Sequence, residues 1–232
     1  MSSLLSLALA VVLQLPTTTG VHELSMPVDG VGPVLYGLSI PRGYDPARPA
    51  PLVVVLHSGG ERMRHYGAAF TRFLVEPALR DLQPIIVAPD CPTDAWTDDE
   101  ADAAVMAVVA RVMAEYAVDR SRVVVTGYSM GGRGTWDQAA RHPDLYTAAI
   151  PMAASTGTLA AGRLGQQPTF VIHSRRDERV PFAPAEQNAR ALAGAGKPVH
   201  FEAVNDFTHF EMFRYVEALR RGGRWVAERW TR

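Results

Sequence analysis

Short runs of Val, Ile and Leu recur along the chain and alternate with stretches whose apolar residues fall three and four apart. The runs predict strands at Val34–Ile40, Leu52–Leu56, Ile85–Ala88, Arg122–Thr126, Ala148–Pro151, Thr169–Ile172 and Val199–Val204. The central ones are almost continuously apolar, the pattern of strands covered on both faces in a parallel sheet. Helical spacing falls between them. Asp99–Tyr116 carries Val105, Val108, Val109, Val112 and Met113 on one face. Gly131–Arg141, Pro184–Ala193 and Phe210–Arg220 are the other predicted helices. Strand and helix in alternation predict an α/β domain, a mostly parallel central sheet with helices on both faces. No repeat, low-complexity tract or linker divides residues 21–232, so they are read as one domain.

Composition narrows the picture. The chain has 232 residues, with 23 Lys plus Arg against 24 Asp plus Glu. No basic excess is available for a polyanion, so nucleic acid is not an expected partner. The single cysteine, Cys91, excludes an intrachain disulfide and a multi-cysteine metal site. Leu4–Leu15 is the longest apolar run, too short to span a bilayer but of the length of a signal-peptide core. Thr17–Gly20 then supplies small residues for cleavage. The run lacks a preceding Lys or Arg, and no A-x-A follows, so a docked N-terminal segment is the competing reading. A secreted or periplasmic location is expected on the first reading, a cytoplasmic one on the second. Stable membrane insertion is not expected.

Gly127-Tyr128-Ser129-Met130-Gly131 carries the chemistry. The G-x-S-x-G pattern alone is a weak signal. Its place, between a predicted strand and a predicted helix, is what a nucleophile elbow requires. Ser129 is therefore the candidate nucleophile. A serine hydroxyl needs a base, usually His, which in turn needs a carboxylate to fix its tautomer. In this fold the chain order is Ser, acid, His. Of seven histidines, His22, His57, His65 and His142 precede the acid region, and His173 and His200 sit in strands. His209, in a loop after the last strand, is the candidate base. Asp177, just past the Thr169–Ile172 strand, is the candidate acid, with Glu178 and Asp206 read as capping or salt-bridging residues. His57-Ser58-Gly59-Gly60 ends another strand. The backbone N–H of Ser58 or Gly59, paired with that of Met130, is the candidate oxyanion hole. His57 is read as an anchor for that loop. Trp96 and Tyr128 are candidate substrate-lining residues, with packing an equal alternative, and Trp136 is assigned to the core.

Four stretches, PLVVVLHSGGE (51–61), IVAPDCP (86–92) followed by Trp96, DRSRVVVTGYSMGGRGTWDQAARHPDLYTAAIPMAA (119–154) and FVIHSRRDERVPF (170–182), resemble the α/β-hydrolase superfamily. The nearer resemblance is to the small esterases: feruloyl and acetylxylan esterases, polyhydroxybutyrate depolymerases, and phospholipase/carboxylesterase-like "predicted peptidases". It implies the α/β-hydrolase fold and a Ser129, Asp177, His209 triad. Two departures stand out. Ser58 and Ser174 occupy positions where relatives commonly have Gly. Dienelactone hydrolases share the fold but use cysteine as nucleophile, and serine at 129 weighs against that branch.

The interval between two late strands, Met152–Pro168, holds 17 residues, too few for a lid, so no cap domain is expected. An open site suits small soluble esters or acyl groups on a polymer. The leading expectation is a serine carboxylesterase working through an acyl-enzyme on such substrates. A serine peptidase of prolyl-oligopeptidase-like chemistry would use the same triad, and an inactive binding protein could keep the fold. The chain has no H-E-x-x-H, CxxC, Walker A or G-x-G-x-x-G, so no metal or other cofactor is expected.

Overall fold

The computed structural model describes residues 15–156 and 163–230. The apolar run proposed as a signal segment lies outside them, apart from Leu15. Eight strands form one sheet in the order β1-β2-β4-β3-β5-β6-β7-β8. They are β1 (Gly20–Val28), β2 (Gly32–Ile40), β3 (Ala50–Leu56), β4 (Ile85–Pro89), β5 (Val118–Tyr128), β6 (Ala148–Met152), β7 (Thr169–Ser174) and β8 (Val199–Val204). Strands β3 to β8 run parallel, and β1 and β2 add an antiparallel edge.

Alternation along each central strand builds two cores. Leu52, Val54 and Leu56 of β3 point to one face, with Val105, Val108 and Val112 of α3 (Asp99–Glu115) and Trp136 of α4 (Met130–Arg141). Val53 and Val55 point to the other, with Phe70, Leu74 and the α6 (Val216–Trp230) residues Leu219 and Val226. Both faces are dry, which is why these strands read as unbroken apolar runs. A further helix, α5 (Phe182–Gly194), connects β7 to β8. Within the described residues, no helix is long and apolar enough to cross a membrane.

Three elements differ from the sequence-based expectation. Val34–Ile40 is not the first strand, because β1 precedes it and pairs with β2 from Val28↔Gly32 to Gly20↔Ile40. As an edge strand, β1 alternates half-buried and exposed residues instead of forming an apolar run. The signal for it was Asp29-Gly30, a hairpin turn with Gly30 at φ 77°. Second, a helical stretch fills the connection from β3 to β4: α1 (Tyr66–Phe70), a π turn at Thr71–Val75, α2 (Glu76–Leu79) and a 3-10 turn at Arg80–Leu82. Gly67 and Pro77 hide it from a propensity reading. Third, the last helix begins later than Phe210. A 3-10 turn at Met212–Tyr215 leads into α6, and Phe210 stays in the loop.

Gly67 is where α1 crosses β4. A methyl group on it would overlap the carbonyl oxygen of Ala88, and its N–H donates to Asp90 Oδ1 at 2.8 Å. Backbone cannot yield as a flexible side chain can. Gly67→Ala should therefore destabilise the protein by about 3 kcal/mol or prevent folding; a urea midpoint matching wild type would contradict this packing.

Candidate active site

The candidate residues gather at the carboxyl ends of the parallel strands, the edge where open α/β sheets place their ligands. Ser129 follows β5 directly and has φ 55°, ψ −113°, a conformation that L-residues rarely adopt. The surroundings hold it there. Its N–H donates to Met152 O of β6 at 2.9 Å, and its carbonyl accepts the Arg133 N–H at 2.9 Å, starting α4. The flanking glycines are sterically required. A methyl on Gly131 would overlap the Leu56 carbonyl oxygen, and one on Gly127 would overlap that of Gly131.

The hydroxyl of Ser129 lies 2.8 Å from His209 Nε2, and His209 Nδ1 lies 2.8 Å from Asp177 Oδ2. An ionised carboxylate only accepts, so the network assigns the proton to Nδ1 and leaves Nε2 as acceptor for the serine O–H. The other oxygen, Asp177 Oδ1, accepts the N–H groups of Arg179 (2.9 Å) and Val180 (2.7 Å). Burial pushes the Asp177 carboxyl up, but His209 and these two backbone donors outweigh it and hold it below its ordinary value. It is therefore ionised at neutral pH.

Side chains also clamp the backbone around His209. Tyr128, the residue before Ser129, donates its hydroxyl to the His209 carbonyl at 2.7 Å. The His209 N–H donates to Glu178 Oε2 at 3.1 Å. Ser174, one of the two departures from Gly, donates its hydroxyl to the Phe207 carbonyl at 2.5 Å. Glu178 thus serves the base loop through its backbone. These roles were not visible in the sequence, because their partners lie 31 to 81 residues away.

Gly59 lies against Met130: a methyl on it would sit 3.5 Å from the Met130 Cβ. His57 Nδ1 donates to the Ser58 carbonyl at 2.7 Å and its Nε2 accepts the Cys91 N–H at 3.0 Å, so His57 does anchor the loop. The Ser58 hydroxyl is within 2.6 Å of the Tyr66 hydroxyl. Trp96 and Tyr128 are both buried, which favours packing over a lining role. Trp96 is 1% exposed and donates to the His57 carbonyl at 2.9 Å, while the buried Tyr128 packs edge-on against Tyr215. Both support the site from behind, where a large aromatic ring can fill the space between strand ends and loops. His200 stacks on Phe170, and buried His173 donates to the Val180 carbonyl at 2.9 Å.

Two clefts meet at Met130. One, of about 290 Å³, is lined by Ser129, Arg133, Ser155, Arg179 and Pro181 among others. The other, of about 370 Å³, runs past Ser58, Gly59, Met63 and Tyr66 to Asp90 and Thr93. Among the described residues, no three His, Cys, Asp or Glu side chains gather as a metal site.

Residues 90–213, more than half of the chain, match the dienelactone hydrolase family. The chain belongs to that family. It does so with serine at the elbow, the residue that weighed against this branch in the sequence. A probable feruloyl esterase C of Aspergillus niger is 26% identical over 206 residues, covering 82% of this chain and 76% of the relative. A thermostable esterase of known structure superposes with a TM-score of 0.77 at 26% identity over 90% of this chain. The chain spans 62% of that esterase's length. A substrate-bound, fluorophosphonate-binding serine hydrolase of Staphylococcus aureus shares the fold, with a TM-score of 0.73 at 14% identity, covering 89% of this chain and 98% of that one. The α/β-hydrolase fold expected from the sequence is the fold observed.

Two measurements test the site's construction. Tyr128→Phe removes one buried hydrogen bond to the His209 loop. It should cost about 1–2 kcal/mol of stability and lower kcat about tenfold with little change in KM; an unchanged kcat would show that the loop needs no such clamp. The second concerns pH. Burial holds both His57 and His173 below the ordinary histidine range. The unfolded chain therefore takes up protons below about pH 6.5 that the folded one refuses. The stability contributed by these neutral rings is complete above the unfolded pKa and is lost as pH falls toward the folded values. Urea midpoints should decline between about pH 7 and pH 5, and a flat profile would count against neutral buried rings.

Proposed function

We propose that the protein is a serine carboxylesterase in which Ser129, His209 and Asp177 form the catalytic triad. The reading rests on one observation: an unbroken line of hydrogen bonds from the Ser129 hydroxyl through His209 to Asp177, each 2.8 Å long. The family and its esterase relatives support ester cleavage.

In this mechanism Ser129 Oγ attacks the ester carbonyl carbon as His209 Nε2 takes its proton. Asp177 stabilises the imidazolium and is not itself protonated. Negative charge builds on the carbonyl oxygen, where the N–H of Met130 and that of Gly59 or Ser58 receive it. Losing one such donor typically costs about 10²–10³ in rate. The C–O bond to the alcohol then breaks, and the imidazolium gives its proton to the departing oxygen. Water repeats the cycle on the acyl-enzyme, with His209 as base, and releases the acid and free Ser129.

The clefts are open, and only 16 residues, 153–168, separate β6 from β7. Such a site suits acyl groups displayed on a carbohydrate or polymer, the substrate class this reading favours, as well as small soluble esters. An exported enzyme, with Leu4–Leu15 as its signal core, fits a polymer-bound substrate.

A fluorophosphonate probe should label the wild type and not Ser129→Ala. The substitution should lower kcat on p-nitrophenyl esters by about 10⁶, the magnitude seen when subtilisin loses its serine. Labelling that survives Ser129→Ala would refute the nucleophile. A matched p-nitroanilide cleaved as fast as the ester would favour a peptidase instead.

A further inference from the structure

Four large apolar side chains are exposed among the described residues: Met63, Phe73, Phe210 and Phe213. Three of them sit on segments that bound the candidate site. Met63 lines the cleft beside the Ser58–Gly59 loop, Phe210 follows His209, and Phe213 lies in the 3-10 turn after it. Phe210 is placed most sharply. Its ring is 69% exposed and stands edge-on to the His209 imidazole, with centroids 5.9 Å apart and planes at 85°. A phenylalanine of this exposure adds little to the core.

The position of the general acid tells which half of the substrate this ring would meet. In the acyl-enzyme reading, on which this inference rests, His209 Nε2 must come within about 2.6–3.2 Å of the departing alcohol oxygen. The carbons attached to that oxygen then lie beside the imidazole, whose ring the exposed Phe210 adjoins with centroids 5.9 Å apart. The acyl half stays bonded to Ser129. The cleft that Ser129 itself lines, walled by Ala154, Val180 and Pro181, is of a size to receive it, and Phe210 does not line that cleft.

We propose that Phe210 is a specificity residue for the alcohol half of the ester, offering an apolar face to a ring-bearing leaving group. The shared chemistry is a flat C–H or π surface, which either a sugar ring or an aromatic ring presents. Phe210 takes no part in the proton transfer. It raises the rate of acylation for ring alcohols and drops out once the alcohol has left.

The test uses three esters of butyric acid, with methanol, benzyl alcohol and the 6-hydroxyl of glucose as leaving groups. In Phe210→Ala, kcat/KM for the preferred ring ester should fall roughly tenfold relative to that for the methyl ester. Whether the benzyl or the glucosyl ester suffers identifies the source of the ring. Phe210→Leu, which keeps apolar bulk, should recover part of the loss. Deacylation measured in single turnovers with p-nitrophenyl butyrate should change by less than twofold. An equal loss on all three esters would overturn the proposal, because the ring would then be acting on His209 or on folding. No loss on any ester, or a loss that appears in deacylation, would overturn it as well. A wild type lacking Ser129-dependent turnover would instead remove the esterase reading itself, and this inference with it.

Discussion

The site depends on how closely the first turn of α4 lies against the end of β3. At Gly131 the helix runs directly over the Leu56 carbonyl oxygen, with no room for a side-chain carbon. That contact forces β5 to turn sharply into α4, and Ser129 takes up the turn at φ 55°. The strain is stable because neighbours over-determine it: the Ser129 N–H is tied to β6 and its carbonyl to α4. The result is a hydroxyl at the tip of the elbow, 2.8 Å from His209 Nε2. Dry apolar layers on both faces of the sheet give the elbow a rigid base.

Against this fixed point, the candidate base His209 sits on a loop between β8 and the Met212–Tyr215 turn, outside regular secondary structure. Side chains do the work that secondary structure does elsewhere. Tyr128 holds the His209 carbonyl, Glu178 its N–H, Asp177 its ring, and Ser174 the nearby Phe207 carbonyl. Tyr128 adjoins Ser129 in the chain, so Ser129 and His209 are referenced to the same strand end. Burial pushes the Tyr128 phenol up, which keeps it a neutral donor. The two serines that depart from Gly are both used, Ser174 on the base loop and Ser58 against Tyr66.

Much of this was legible in advance, for particular reasons. The central strands were found because apolar runs buried on two sides carry a strong signal; β8, a half-buried edge strand, was found from its Val and Phe content. Ser129 stood out because a strand, a glycine-flanked serine and a helix followed in order. Asp177 and His209 followed from chain order and from their loops at strand ends. The edge strand β1 escaped because a half-buried strand alternates instead of running apolar. The helical segment over β4 escaped because Gly67 and Pro77 interrupt it, although Gly67 is there for its close approach to Ala88. For Trp96 and Tyr128 the sequence left lining and packing equally open, and their burial favours packing.

Residue order alone determined the layered α/β architecture and singled out Ser129, Asp177 and His209 as candidates, since hydrophobic period, elbow glycines and chain order are read along the chain. Only the tertiary structure decided which oxygen faces which nitrogen, which tyrosine steadies the base, and which phenylalanine is left in water beside it. Those outcomes depend on groups up to 81 residues apart meeting within hydrogen-bond reach. A linear pattern does not encode distances between segments that only packing brings together.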